Sequence, residues 1–136
     1  MDNRPIGIFD SGLGGLTAVR EILQIMPHEQ VVYFGDTGRV PYGTRSRETI
    51  IKYARQDIAF LLSKQVKIVI AACGTVSSVA AGLGQEIPVL YTGVVEPTAL
   101  AASLATRNQR VGVIGTSATI QSGSYRRALN ALNLDI

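Results

Sequence analysis

The sequence predicts an α/β fold, a parallel sheet flanked by helices, on two observations. Short apolar runs alternate with longer stretches of helical spacing, and almost every run ends in a polar or glycine-containing turn. The chain has 136 residues, 46% hydrophobic and 17% charged, which is enough for one ordinary core and unlike a disordered chain.

Taken in order, Pro5-Ile6-Gly7-Ile8-Phe9 reads as a short buried strand ending at Asp10, and Ser11 to Gly15 as a tight loop. Leu16 to Met26 has helical spacing, with Leu16, Val19, Ile22, Leu23 and Met26 on one stripe. Val31 to Phe34 is a second strand closed by Gly35-Asp36, and Thr37 to Thr44 is a loop with Pro41 and Gly43. Ser46 suits an N-cap, with Glu48 in the first turn. The helix it opens runs to about Lys64, with Ile50, Tyr53, Ala54, Ile58, Leu61 and Leu62 inward. Lys67 to Ala72 is a continuous apolar strand of the kind buried on both faces. After Cys73-Gly74-Thr75 come a helix from Val76 to Leu83, a strand at Val89 to Tyr91 and a helix from Pro97 to Leu104. A fifth strand is expected at Arg110 to Ile114, a loop at Gly115 to Thr119, and a last helix from Ile120 to Leu132. Leu134-Asp135-Ile136 reads as the approach to another strand, so a truncated chain is expected.

Composition narrows the function classes. The net charge of +3 is mild, aromatics are 6% and Trp is absent, which argues against nucleic-acid binding. The local cluster of Arg39, Arg45, Arg47 and Lys52 reads first as a solvated helix start. No apolar run approaches bilayer length and no secretory leader is visible at Met1 to Pro5, so a cytoplasmic protein with no membrane partner is expected. A single cysteine leaves no internal disulfide and no Cys-rich zinc site.

In parallel α/β sheets, ligands bind outside the carboxyl ends of the strands. Here those ends carry Asp10-Ser11, Asp36-Thr37 and Cys73-Gly74-Thr75, with Thr116-Ser117 after the fifth. Ser11-Gly12-Leu13-Gly14-Gly15 misses the dinucleotide fingerprint, because Thr17 stands where the third Gly belongs, and no Walker A lysine is present. Its glycines still let backbone N–H groups approach a carboxylate. Cys73 ends a buried strand where a helix begins, which favours thiolate, a base as well as a nucleophile. The only histidine, His28, sits in a turn at the opposite edge, which argues against a Cys-His hydrolase. Asp10 either supports the thiol or simply forms the turn, and its position alone does not choose between them.

Several motifs, in order and spacing, resemble glutamate racemases of the aspartate/glutamate racemase superfamily. They are Ile6-Gly7-Ile8-Phe9-Asp10-Ser11-Gly12-Leu13-Gly14-Gly15-Leu16, Tyr33-Phe34-Gly35-Asp36-Thr37 with Arg39-Val40-Pro41-Tyr42-Gly43, and Ala72-Cys73-Gly74-Thr75. Gly93-Val94-Val95-Glu96-Pro97 and Gly112-Val113-Ile114-Gly115-Thr116 continue the series.

The resemblance implies an isomerase that interconverts L- and D-glutamate without cofactor or metal, using two cysteines on opposite faces of the α-carbon. Carried over by position, Cys73 is the first thiol and Asp10 its supporting carboxylate. Asp10, Ser11, Tyr42, Gly43, Gly74 and Thr75 would line the substrate, and Thr116 and Thr119 would hold a carboxylate. It further implies D-glutamate supply for peptidoglycan, hence cell-wall biogenesis and cell shape, a homodimer, and two pseudo-symmetric domains. Residues 1–97 would be the first domain, completed by a later return of the chain, and residues 98–136 the start of the second. Two departures stand out: Gly74 replaces the family's usual Asn, and the segment with the second cysteine is not in these 136 residues. The chain alone is therefore expected to racemise poorly. Alternatives are a racemase of aspartate or a related acid, and a non-catalytic small-acid-binding or interaction module.

Overall fold

The structure, a computed structural model, describes residues 2–132. Its sheet has four parallel strands, β1 (Ile6–Asp10), β2 (Val31–Gly35), β3 (Ile68–Ala71) and β4 (Leu90–Gly93), in the order β2-β1-β3-β4. Register sets Ile8 beside Tyr33 and Ile70, and Phe9 beside Phe34 and Ala71. All five residues of β1, which lies inside the sheet, are buried. Helices α1 (Leu16–Ile25), α2 (Arg47–Ser63), α3 (Gly74–Val79) and α4 (Val95–Ala105) follow the strands, with a 3-10 turn at Ala81–Glu86 before β4.

One face of the sheet carries the core. Phe9, Val69 and Ala71 pack there with Ile50, Ala54, Ile58 and Leu61 of α2 and Val76 and Val79 of α3. Ser46 caps α2 as expected, its Oγ accepting from the Thr49 amide at 3.2 Å. Tyr53 and Leu62 are only partly buried at the rim of this core. The other face is thinner. Ile68 and Ile70 are half-buried, so β3 is not sealed on both sides, and α1 contains no fully buried residue.

The C-terminal part departs further from expectation. No strand forms at Arg110 to Ile114, which pairs with none of the four strands and where Ile114 is 98% exposed. The helix expected over Ile120 to Leu132 is two helices, α5 (Ser117–Ser122) and α6 (Ser124–Leu132). Gly123, at φ +65°, ends α5 in the left-handed conformation that glycine adopts without penalty. The helix expected from Val76 begins two residues earlier and stops at Val79. Helix α4 packs on α6 and α3 on α5, and this holds the segment to the sheet. Leu134-Asp135-Ile136 lies outside the described residues.

Candidate active site

The carboxyl ends of β1, β2 and β3 bring three loops together. Asp10 is 6% exposed, and its Oδ2 accepts from the Gly15 amide at 2.9 Å. It therefore does form the turn, and the second carboxylate oxygen has no bond among the described residues. The turn leaves no room at Gly15, where a Cβ would lie 2.8 Å from Asp10 Cβ and 3.0 Å from Ala72 Cβ. Tyr33 Oη donates to the Gly12 carbonyl at 2.8 Å, and Gly35 passes too close to that carbonyl to carry a side chain. Burial, with the charges of Asp10 and Cys73 adding to it, pushes the Tyr33 phenol up to about 12. The Ser11 to Gly15 loop is thus clamped from both sides.

Cys73 caps α3 with an extended backbone, at φ −97° and ψ 119°, and is 3% exposed. Its side chain makes no cap bond; instead Sγ donates to Ser11 Oγ at 3.4 Å. One residue on, Gly74 is half-buried, and a Cβ built there would meet nothing within 4 Å. The space an amide side chain would use at that position is open.

A ladder of hydroxyls continues from the thiol. Thr75 Oγ1 lies 2.9 Å from Thr116 Oγ1, which lies 3.1 Å from Thr119 Oγ1 and accepts from the Thr119 amide at 3.3 Å. Gly43 packs directly against the Thr116 side chain, and its carbonyl accepts from the Ala118 amide at 3.4 Å. Two sets of contacts result, Ser11 with Cys73 and Gly43 with Thr75, Thr116 and Thr119, and the chain itself joins them through Asp10-Ser11 and Cys73-Gly74-Thr75.

Tyr42 sits differently from the rest. Its ring is buried, and its hydroxyl bonds to Asp36 Oδ2 and, at 2.9 Å, to Asp57 Oδ2. Only its backbone remains to face a ligand. Arg39 closes this cluster, reaching Asp36 at 2.6 Å and Asp57 at 2.8 Å while stacking over Tyr53 at 4.2 Å. Burial, with the nearby charges of Asp36 and Asp57 adding to it, raises the Tyr42 phenol far above its ordinary value. Burial also pushes Asp57 up to about 6, against the opposing pull of Tyr42 and Arg39. Sequence reasoning missed Asp57, because a lone Asp inside a helix reads as solvent-facing. The available signal was its position three residues after Ala54 and one before Ile58, on the inward stripe.

His28 is exposed in a turn away from the strand ends. Among the described residues no group of three or more His, Cys, Asp or Glu side chains is placed to hold a metal ion, and no helix is long and apolar enough to cross a membrane.

The Asp/Glu/Hydantoin racemase family matches residues 11–136. The chain belongs to this racemase family. Among curated relatives, it is 46% identical over 134 residues to the glutamate racemase of Geobacter metallireducens, covering 98% of this chain and 50% of that protein. It is 52% identical to that of Chlorobium phaeobacteroides, covering 97% and 49%. Among solved structures, a glutamate racemase isoform from Bacillus anthracis superposes with a TM-score of 0.94 at 38% identity, covering 98% of this chain and 51% of that one. The Francisella tularensis glutamate racemase, solved in complex with D-glutamate, gives 0.88 at 46% identity, covering 100% and 51%. This racemase-family chain spans about half the length of the relatives it matches.

Proposed function

We propose that this chain forms the first half of a glutamate racemase and carries one of its two acid/base groups, Cys73. The contact of Cys73 Sγ with Ser11 Oγ at the strand ends carries the reading, because it sets a thiol among the groups that would hold an amino acid. The glutamate racemases among the relatives support the substrate. In this reading the backbone N–H groups and hydroxyls of Ser11, Gly43, Thr75, Thr116 and Thr119 hold the carboxylates, with Asp10, Gly74 and the Tyr42 backbone beside them. Cys73 as thiolate removes the α-proton from one face, leaving a carbanion on Cα and a neutral thiol. A second thiol, from a segment beyond these residues, protonates the other face. No cofactor spreads the carbanion's charge, so proximity and fixed dipoles supply the stabilisation. The two-domain division at residues 97 and 98, a dimer, and a cytoplasmic role in supplying D-glutamate for peptidoglycan belong to the same proposal.

One thiol on one face makes a specific demand. In deuterated water the 136-residue chain should exchange the α-proton of only one glutamate enantiomer, followed by NMR, and should accumulate none of the other. Cys73→Ala should abolish the exchange. Robust D-glutamate formation from L-glutamate, or exchange unaffected by Cys73→Ala, would overturn the assignment. The absence of an amide side chain at Gly74 keeps one second reading, a racemase acting on aspartate or a related acid. Greater exchange with aspartate than with glutamate would select it.

A further inference from the structure

Beside the Thr75–Thr116 contact lies a separate open cavity of about 710 Å³. Asp10, Ser11, Cys73, Thr75, Thr116 and Thr119 take no part in its lining, and of the groups proposed to hold the amino acid only Gly43 borders it. Three arginines converge on it from distant parts of the chain, Arg45 and Arg47 at the start of α2 and Arg127 in α6, and no Asp or Glu lines it. Among the described residues none of the three makes an ion pair, and Arg127 donates Nη1 to the Ser122 carbonyl at 2.8 Å. The nearest acid in sequence, Glu48, turns back on the helix start. Bonds from its own amide and from Ser46, with the charge of Arg47 adding to them, hold its carboxyl below the usual range.

Solvated arginines at a helix start need no ligand. Ser78 makes that reading insufficient. It lines the same cavity, is 7% exposed, and its buried hydroxyl has no hydrogen-bond partner among the described residues. Buried hydroxyls are normally satisfied, so a missing acceptor is informative. The start of α2, a helix of 17 residues, adds its positive end at the same place. No aromatic ring lines the cavity, so nothing there would stack on a base.

We infer that this cavity binds a small phosphate-bearing anion, gripping a phosphate or diphosphate group between the Arg45, Arg47 and Arg127 guanidiniums with Ser78 as a further donor. Guanidinium forks match phosphate oxygens two at a time, which fits three arginines better than three ammonium groups would.

Titration calorimetry of the 136-residue chain with sodium pyrophosphate tests this. Saturable binding is expected, weakened roughly tenfold by Arg47→Ala and again by Arg127→Ala, as for loss of a charge-assisted bond. Ser78→Ala should also weaken it without unfolding the chain, since that hydroxyl holds no internal bond; circular dichroism checks the fold of each variant. Arg20→Ala, which removes an exposed arginine paired with Glu21, should leave binding unchanged. ADP should bind no more tightly than pyrophosphate, and L-glutamate should not displace either. Absence of saturable binding overturns the inference. So do equal weakening by Arg20→Ala, much tighter binding of ADP, and displacement by glutamate, which would move the anion into the racemase cleft.

Discussion

Val69-Ile70 and Val113-Ile114 are nearly the same pair of residues with opposite fates. The first lies in β3, paired to β1 and β4, with Val69 fully buried. The second belongs to no strand, and Ile114 is 98% exposed. An apolar run becomes a strand only where it pairs with another strand's amide and carbonyl row, and neither propensity nor pattern reports which runs will pair. The sheet region and the segment after α4 therefore differ less in composition than in partnership.

The comparison can be broken most sharply through packing. Leu61, fully buried in α2, should cost about 2–5 kcal/mol when changed to Ala, whereas Ile114→Ala should stay within about 0.5 kcal/mol. Urea unfolding of both variants measures this, and equal losses would mean that the exposed segment is packed after all.

A second difference is electrostatic. The sheet region buries Asp57, whose folded-state value near 6 lies above the ordinary carboxylate range. The native state therefore holds that proton more tightly than the unfolded chain does. Its contribution to stability is greatest at low pH and is lost as pH rises from about 4 to about 6, by up to about 3 kcal/mol. Asp57→Asn should flatten the thermal-unfolding profile across that window. An unchanged profile would show that Asp57 does not titrate there.

The third handle is the joint between the regions. Gly43→Ala would push a methyl into Thr116, at a cost of about 1–3 kcal/mol of overpacking. Hydrogen exchange should then rise in α5 while β1 and β3 stay protected. Uniform loss of protection would show that the regions unfold as one.

Much of the candidate site was legible because apolar runs stop at polar residues, and parallel strands bring their carboxyl ends together. Asp10, Cys73 and Thr75 are found that way. Tyr42 was readable only as part of a motif, and the pattern could not say that its hydroxyl turns inward to Asp36 and Asp57. Asp57 was hidden because one charge in a 17-residue helix resembles any solvated residue until its partners are known. Tyr33 was assigned to its strand correctly, but its grip on the Gly12 carbonyl spans 21 residues and left no local trace. The split at Gly123 was a missed turn signal, since a glycine between helical stretches is the ordinary mark of a left-handed stop.

The strand order carries a consequence for the chain as it is made. With β1 inside the sheet, β2 can pair with it early, but its other edge stays bare until β3 emerges. The thiol of Cys73 reaches Ser11 across 62 residues of sequence, so the site cannot close on any shorter nascent chain. During synthesis, the loop that would bind an amino acid is made well before the group that would act on it.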